Sequence, residues 1–328
     1  MTALAAAPSM EEGLRPVDVR RDLPGIARLV ELCFGDALDE SGRAAIREMR
    51  ALSRAGPLLW LLPLFPGGGP AWQHGFVYTH AGRLVGNVGA QSADSGRDAW
   101  LLANVAVHPD WRRKGIARQL VLAAVARAAH EGAQRVVLQV DADNIDAITL
   151  YKQLGFDTLT VRTTWRRSQT RPPEVTPMPA GIELQPAQRS QWPLEQALLQ
   201  QFRPQGLIWT APLQVRQLRP SLGRSLGHYF NGRREERWLA FRSGEAVGWL
   251  YVLWSAGTAD QIRWIVTPQL TGALEHALLA RALYRLGHRR CDAWVEHPTG
   301  EAAALLQQHR FKPTRTLRWM ELRLSRRD

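Results

Sequence analysis

Apolar positions along the chain follow two rhythms. In some stretches they alternate or run unbroken for four to eight residues, as strands do, and in others they recur every three or four, as on one face of a helix. Over the first half this predicts the order β-α-α-β-β-β-α-β-α-β. "LRPVDV" reads as a short opening strand. Asp22 is placed to cap a helix with Pro24 near its first turn, running to about Phe34. A second helix is expected over roughly 39–54, then a Pro/Gly-rich loop over 56–70. Strands follow near 75–80, 84–91 and 99–108, the first two joined by a turn at Ala81-Gly82-Arg83. A helix over 115–131, a strand over 135–140, a helix over 145–154 and a strand over 158–166 complete the half. "RVVLQV" is continuously apolar, which suits a strand covered on both faces. "LLWLLPLF" is broken by Pro63 and too short to cross a bilayer, and no apolar run approaches the length of a membrane span, so no membrane partner is expected.

The rhythm stops at "SQTRPPEVTPMPAG" (168–181), where Pro172, Pro173, Pro177 and Pro179 prevent both helix and ladder pairing. The expected layout is a frayed tail (1–13), a first domain (14–167), a Pro-rich linker (168–181) and a second domain (182–328). Beyond the linker the same order returns. The intervals Gly132–Val140 and Gly287–Val295 are both 8 residues, and Val140–Phe156 and Val295–Phe311 are both 16. Pro109–Gly132 is 23 residues but Pro268–Gly287 only 19. The second copy is short where the first has its most unusual segment. The expected fold is mixed α/β, with two tandem domains, each a mixed central β-sheet flanked by helices.

That segment is "HPDWRRKGIARQL". Arg112, Arg113 and Lys114 surround Gly115 where a strand gives way to a helix. The start of a helix carries unpaired N–H groups and the positive end of a dipole, so added cations are unfavourable there unless an anion sits above them. Strand, basic Gly turn, helix is therefore a candidate phosphate cradle. The other reading is a solvated Arg-rich turn. The second copy has only "QLTGAL" in that place, with Leu270 matched to Gly115, and a turn kept for folding alone would be expected in both copies.

Composition changes this picture little. A net charge of +12 comes almost wholly from arginine spread along the chain, with lysine only at 114, 152 and 312. Nucleic acid is therefore not an expected partner, though acidic ligands are drawn to such a surface. Cys33 and Cys291 stand alone, without disulfide or metal-ligand spacing, so no metal is expected and a reducing compartment fits. The first residues lack a basic leader before a long apolar stretch, and a cytoplasmic location is expected.

"VAVHPDWRRKGIA" resembles the acetyl-CoA signature of the GNAT superfamily (GCN5-related N-acetyltransferases), whose Arg/Gln-x-x-Gly-x-Gly/Ala core is met by Arg112, Gly115 and Ala117. "NIDAITLYKQLGF" is similar to the family's second signature in Asn144, Ala147, Leu150, Tyr151, Gly155 and Phe156. The resemblance covers about 14–166, and the chain looks like a tandem member with a degenerate C-terminal copy. It implies an acetyl-CoA-dependent N-acetyltransferase. The coenzyme's pantetheine arm would pair with Val105, Ala106 and Val107 in a splay between two parallel strands, freed by a bulge. Its pyrophosphate would rest on the main chain of Arg112, Arg113, Lys114, Gly115, Ile116 and Ala117, with charge from Arg113, Lys114 and Arg118. An amide near Val107 would polarise the thioester carbonyl. Tyr151 would return a proton to sulfur, or is simply a packed aromatic. Asn144 caps its helix, bonds the pantetheine arm, or does both. In the second copy Leu306 stands for Tyr151 and Thr299 for Asn144.

The general base is not evident. Asn104 stands on the strand where many relatives carry Glu, and Gln139 where protein α-amine acetylating relatives often do. Asp94, Asp98, His74, His80 and His108 read as solvated or structural. "SRAGPLLWLLPLFPGGGPAW", with Trp60, Phe65 and Trp72, would wall an acceptor site or dock the second domain. The expected acceptor is a primary amine of a small molecule, or a protein or peptide amine, acetylated by a monomer or homodimer. The competing reading is a non-catalytic acyl-CoA-binding module.

Overall fold

The computed structural model describes residues 12–35, 47, 50, 75–92, 99–168, 176–202, 218–221, 223, 232–255, 259–289 and 291–324. Most of the second expected helix, the 56–70 loop with Trp60 and Phe65, and Trp72, His74, Asp94 and Asp98 lie outside them. The chain forms two compact units. The first is Met1–Val140, Asn144–Thr158 and Met320–Asp328, and the second is Asp141–Asp143 and Leu159–Trp319. These do not follow a linear cut, since residues 159–167 belong to the second unit and 320–328 to the first.

The first unit opens with β1 (Gly13–Pro16) and α1 (Val19–Phe34). The helix begins three residues before Asp22, so Asp22 is not its cap. Its carboxylate reaches back instead, accepting from the Asp18 N–H at 2.8 Å and from the Arg15 guanidinium at 2.6 and 2.7 Å. That paired, buried carboxylate satisfies a free N–H at the helix start. Leu23, Ile26, Ala27 and Val30 recur at helical spacing and bury against Val77 of β2 (Phe76–His80).

The sheet continues through β3 (Arg83–Ser92) and β4 (Ala99–Val107), all antiparallel, to β5 (Arg135–Asp141), parallel to β4. The turn Ala81-Gly82 has φ of 46° and 71°, as its two-residue hairpin requires. α2 (Ile116–His130) crosses between the parallel strands and buries Ile116, Leu120, Val121, Ala124 and Ala128. α3 (Ile145–Gln153) follows β5 and buries Ile148 and Tyr151. Gln134 accepts from the Leu324 N–H at 2.8 Å, and Met320 is fully buried in the core of this unit.

The second unit contains β6 (Asp157–Arg167, from Leu159), β7 (Ile182–Pro186), α4 (Trp192–Phe202), β8 (Arg233–Arg242), β9 (Glu245–Ser255) and β10 (Asp260–Val266). It goes on through α5 (Ala273–Leu286), β11 (Ala293–Pro298), α6 (Ala303–Gln308) and β12 (Lys312–Arg323, to Trp319). Its strand order is β12-β6-β11-β10-β9-β8-β7, with β10 and β11 parallel. β9, β10, α5, β11 and α6 thus repeat β3, β4, α2, β5 and α3. No helix among the described residues is long and apolar enough to cross a membrane.

Candidate active site

β4 and β5 run together for only four residues. Ala99, Trp100, Leu101 and Leu102 pair with Arg135, Val136, Val137 and Leu138, and there the ladder ends. From residue 103 on, the β5-facing edge of β4 has no strand partner, and a gap opens between parallel strands. The break coincides with an irregularity on the other edge. Asn87 of β3 pairs with Ala106 and Gly89 with Ala103, so three steps of β4 oppose two of β3. This is a β-bulge, and Asn104 within it has φ of 53°. Val105, Ala106 and Val107 follow directly.

Val107 carries the end of the gap. Its carbonyl accepts from Arg112 Nε at 3.3 Å and from Cys33 Sγ at 3.5 Å. Burial pushes the Cys33 thiol up, an effect opposed by the neighbouring Arg112. A short 3₁₀ turn, Pro109–Trp111, then leads to residues 112–115. Arg113 has φ of 63° and Gly115 of 76°, and Gly115 caps α2 without any side-chain bond. Arg112 N–H still bonds within the turn, but the first amide of α2 to find a main-chain carbonyl is Gln119, on Gly115. Among the described residues the N–H groups of 113–118 meet no acceptor. A Cβ built on Gly115 touches nothing within 4 Å, so glycine is required here by its left-handed φ, and the space above the turn is open.

The side chains that sequence placed on this turn divide. Arg112 is turned back onto Val107. Arg113 forms an exposed ion pair with Asp146 of α3 at 3.0 Å. The Lys114 ammonium lies 4.1 Å from the centre of the Trp111 ring, whose other neighbour is His80 at 4.3 Å. Ile116 is 3% exposed and points into the core, so it offers only its main chain. Arg118 is exposed in the first turn of α2.

Asn144 caps α3, its Oδ1 accepting from the Ala147 N–H at 3.1 Å. Tyr151 lies in the same apolar cluster as Val105, Val107, Val140 and Phe156, its ring 5.9 Å from Phe156. Burial raises the phenol's pKa well above the ordinary tyrosine value, so it stays protonated. His108 serves its own turn, Nδ1 accepting from the Asp110 N–H at 3.4 Å. Among the described residues no group of three or more His, Cys, Asp or Glu is placed to hold a metal ion.

The second unit has the corresponding turn, with its vacancy closed. α5 is capped by Gly272, φ 87°, so Gly272 and not Leu270 is the counterpart of Gly115. Three residues on, where the first unit has Arg118, stands Glu275. Its carboxylate accepts from the Gly272 N–H and from Trp264 Nε1, both at 2.9 Å. The helix start that is open in the first unit is occupied here by the chain's own buried anion. Leu306 is the counterpart of Tyr151, since Phe311 N–H bonds its carbonyl as Phe156 N–H bonds that of Tyr151.

Three features were not drawn from sequence: the Cys33–Val107–Arg112 contact, the Lys114–Trp111–His80 stack and the bonding of Asn87. For Asn87 a signal was available, an amide inside the otherwise apolar, Gly-flanked "LVGNVGA".

Residues 54–156 match the model of the acetyltransferase (GNAT) family. The chain is 36% identical over 96 residues to a mycothiol acetyltransferase of Thermobispora bispora, covering 28% of this chain and 32% of that protein. It is 38% identical over 65 residues to the [ribosomal protein bS18]-alanine N-acetyltransferase of Escherichia coli K12, covering 20% and 44%. The chain thus matches less than half the length of these relatives. A solved tandem GNAT protein from the clavulanic acid biosynthesis pathway shares the fold over 97% of this chain and 100% of its own, at TM-score 0.60 and 17% identity.

Proposed function

We propose, for a chain whose residues 54–156 belong to the acetyltransferase (GNAT) family and which has a tandem GNAT fold, that the first unit transfers an acetyl group from acetyl-CoA to a primary amine. The observation that carries this is the open cradle. Six consecutive main-chain N–H groups, 113–118, meet no acceptor beside a gap in the sheet that begins at residue 103. A diphosphate satisfies such donors, and Arg118 adds charge at the same helix start. The unpaired edge of β4 at Val105, Ala106 and Val107 suits an extended amide-bearing arm, taken up as an added strand would be.

When bound, acetyl-CoA supplies an activated thioester. A neutral amine attacks its carbonyl carbon, the C–N bond forms and the C–S bond breaks, without a covalent enzyme intermediate. A main-chain N–H near Val107 stabilises the developing oxyanion. Tyr151 gives its proton to the departing sulfur. Burial raises its pKa, so the phenol is held in the protonated form that can donate. Asn144 holds the start of α3 and thereby the position of Tyr151.

Asn104, at the bulge, is unable to take a proton. The amine's proton passes to solvent, and Tyr151 regains a proton from solvent once the thiol has formed. A small-molecule amine is favoured over a protein α-amine because Gln139 stands where relatives acting on proteins often carry Glu. The test is a screen of small amines and peptide N-termini with acetyl-CoA, read as free thiol. Thiol release with at least one amine is expected. Coenzyme binding without release by any amine would support a non-catalytic acyl-CoA module instead.

A further inference from the structure

Asn87 lies in the middle of β3 and is 1% exposed. Its Nδ2 donates to the main-chain carbonyl of Asn104 at 3.0 Å, which fixes the orientation of the amide. Asn104 lies where β4 leaves register, with its backbone in the left-handed region, which asparagine enters more readily than most residues. Asn87 therefore grips the peptide of the bulge from the neighbouring strand. At the other end of the same amide, Oδ1 is buried and has no partner among the described residues. A buried acceptor without a donor costs the folded state free energy, and an aliphatic side chain of the same size removes that cost.

The second unit shows what the sheet does without this amide. Gly86 pairs with Val107, and Gly248 with Val266, at equivalent places. Trp249 is then the counterpart of Asn87, and the extra residue of β4, between Ala103 and Ala106, has no counterpart in β10. The Trp249 side chain gives its one donor, Nε1, to Glu195 at 2.9 Å. β9 and β10 pair through six consecutive residues, Gln261–Val266, with no shift of register. Amide and bulge are present together in the first unit and absent together in the second.

A bulge has a further consequence. Along a strand, successive residues direct their N–H and C=O groups to opposite edges. One extra residue reverses that phase for everything after it. In β4 it decides which groups of Val105, Ala106 and Val107 face the gap and which face β3. We propose that Asn87 is a positioning residue for the acyl transfer: its hydrogen bond to Asn104 locks the bulge, and so sets the phase of the main chain that holds the thioester. This rests on the function proposed above. It requires nothing of the phosphate cradle, which lies further along the chain.

Asn87→Leu keeps the volume and removes both ends of the amide. With the best amine substrate, kcat falls on the order of tenfold to a hundredfold, the scale of a small misplacement of reacting atoms. The melting temperature does not fall, and the thermal shift with acetyl-CoA is retained. Amide hydrogen exchange at Val105–Val107, followed without any ligand, changes its protection pattern in the variant. Unchanged kcat in a wild-type-like fold overturns the proposal, as does an unchanged exchange pattern. A loss of kcat matched by an equal loss of thermal stability also overturns it. Should the wild-type protein neither bind acetyl-CoA nor release thiol, the functional reading falls, and the exchange pattern alone still decides whether Asn87 holds the bulge.

Discussion

Tyr151 has its phenol in a water-poor cluster beside Phe156, Val105 and Val107. Because burial raises its pKa, the O–H form persists at and above neutral pH, and no loss of acid function is expected below the ordinary tyrosine range near about 10. Tyr151→Phe is expected to lower kcat by roughly a hundredfold to ten-thousandfold. The thermal shift with acetyl-CoA should stay near that of the parent, since the ring remains packed. Steady-state rates over a pH series check this, and equal rates at every pH would remove Tyr151 from the reaction. Tyr151, Gly115 and Asn144 were legible in the sequence because each stands at a fixed interval inside a recurring pattern. Asn87 and Cys33 were not, because their partners are distant in the chain. Asn104 is 17 residues from Asn87, and Val107 is 74 from Cys33. The roles of Arg112 and Arg113 were not legible for a related reason. Which neighbour a long cation selects depends on where Val107 and Asp146 come to lie.

Between residues and whole chain, the contrast between the starts of α2 and α5 explains why duplicated elements diverge. Both helices begin after a left-handed glycine, and both leave N–H groups to be satisfied. In α5 the protein supplies its own carboxylate, Glu275, which also takes the buried Trp264 N–H. Glu275→Ala leaves two donors without an acceptor and should destabilise the protein by about 1–3 kcal/mol. A urea midpoint series measures this, with Glu275→Gln intermediate because it keeps one acceptor. No shift for the alanine variant would show that the carboxylate does not close that helix start. Helices 115–131 and 145–154 and strands 75–80, 84–91, 99–108, 135–140 and 158–166, all predicted from periodicity, differ from the structure by one residue or so at each end. α1 was placed late because Asp22 was read as a cap, whereas it bonds backward to Asp18 and Arg15. Gly115 was matched to Leu270 because the deletion was assigned to one end of the turn. The left-handed φ of Gly272 shows the true equivalence.

For the molecule as a whole, the interval pattern revealed two copies and the order of their elements. It did not reveal that residues 159–167 pack in the second unit and 320–324 in the first. Strand membership is decided by which edge is available in space, and no local pattern encodes that. The two units share a plan but differ at the three features the proposed transfer uses: the bulge, the tyrosine and the unfilled helix start. The chain should therefore hold one coenzyme, drawn in part by its charge of +12. Isothermal titration of the full-length protein with acetyl-CoA tests the central claim most directly. One molar equivalent bound by wild-type protein and by Gly115→Asn, which tolerates the left-handed backbone, and none by a folded Gly115→Glu, is the predicted result. Binding by Gly115→Glu at wild-type affinity, or no binding by the wild type, would contradict the account.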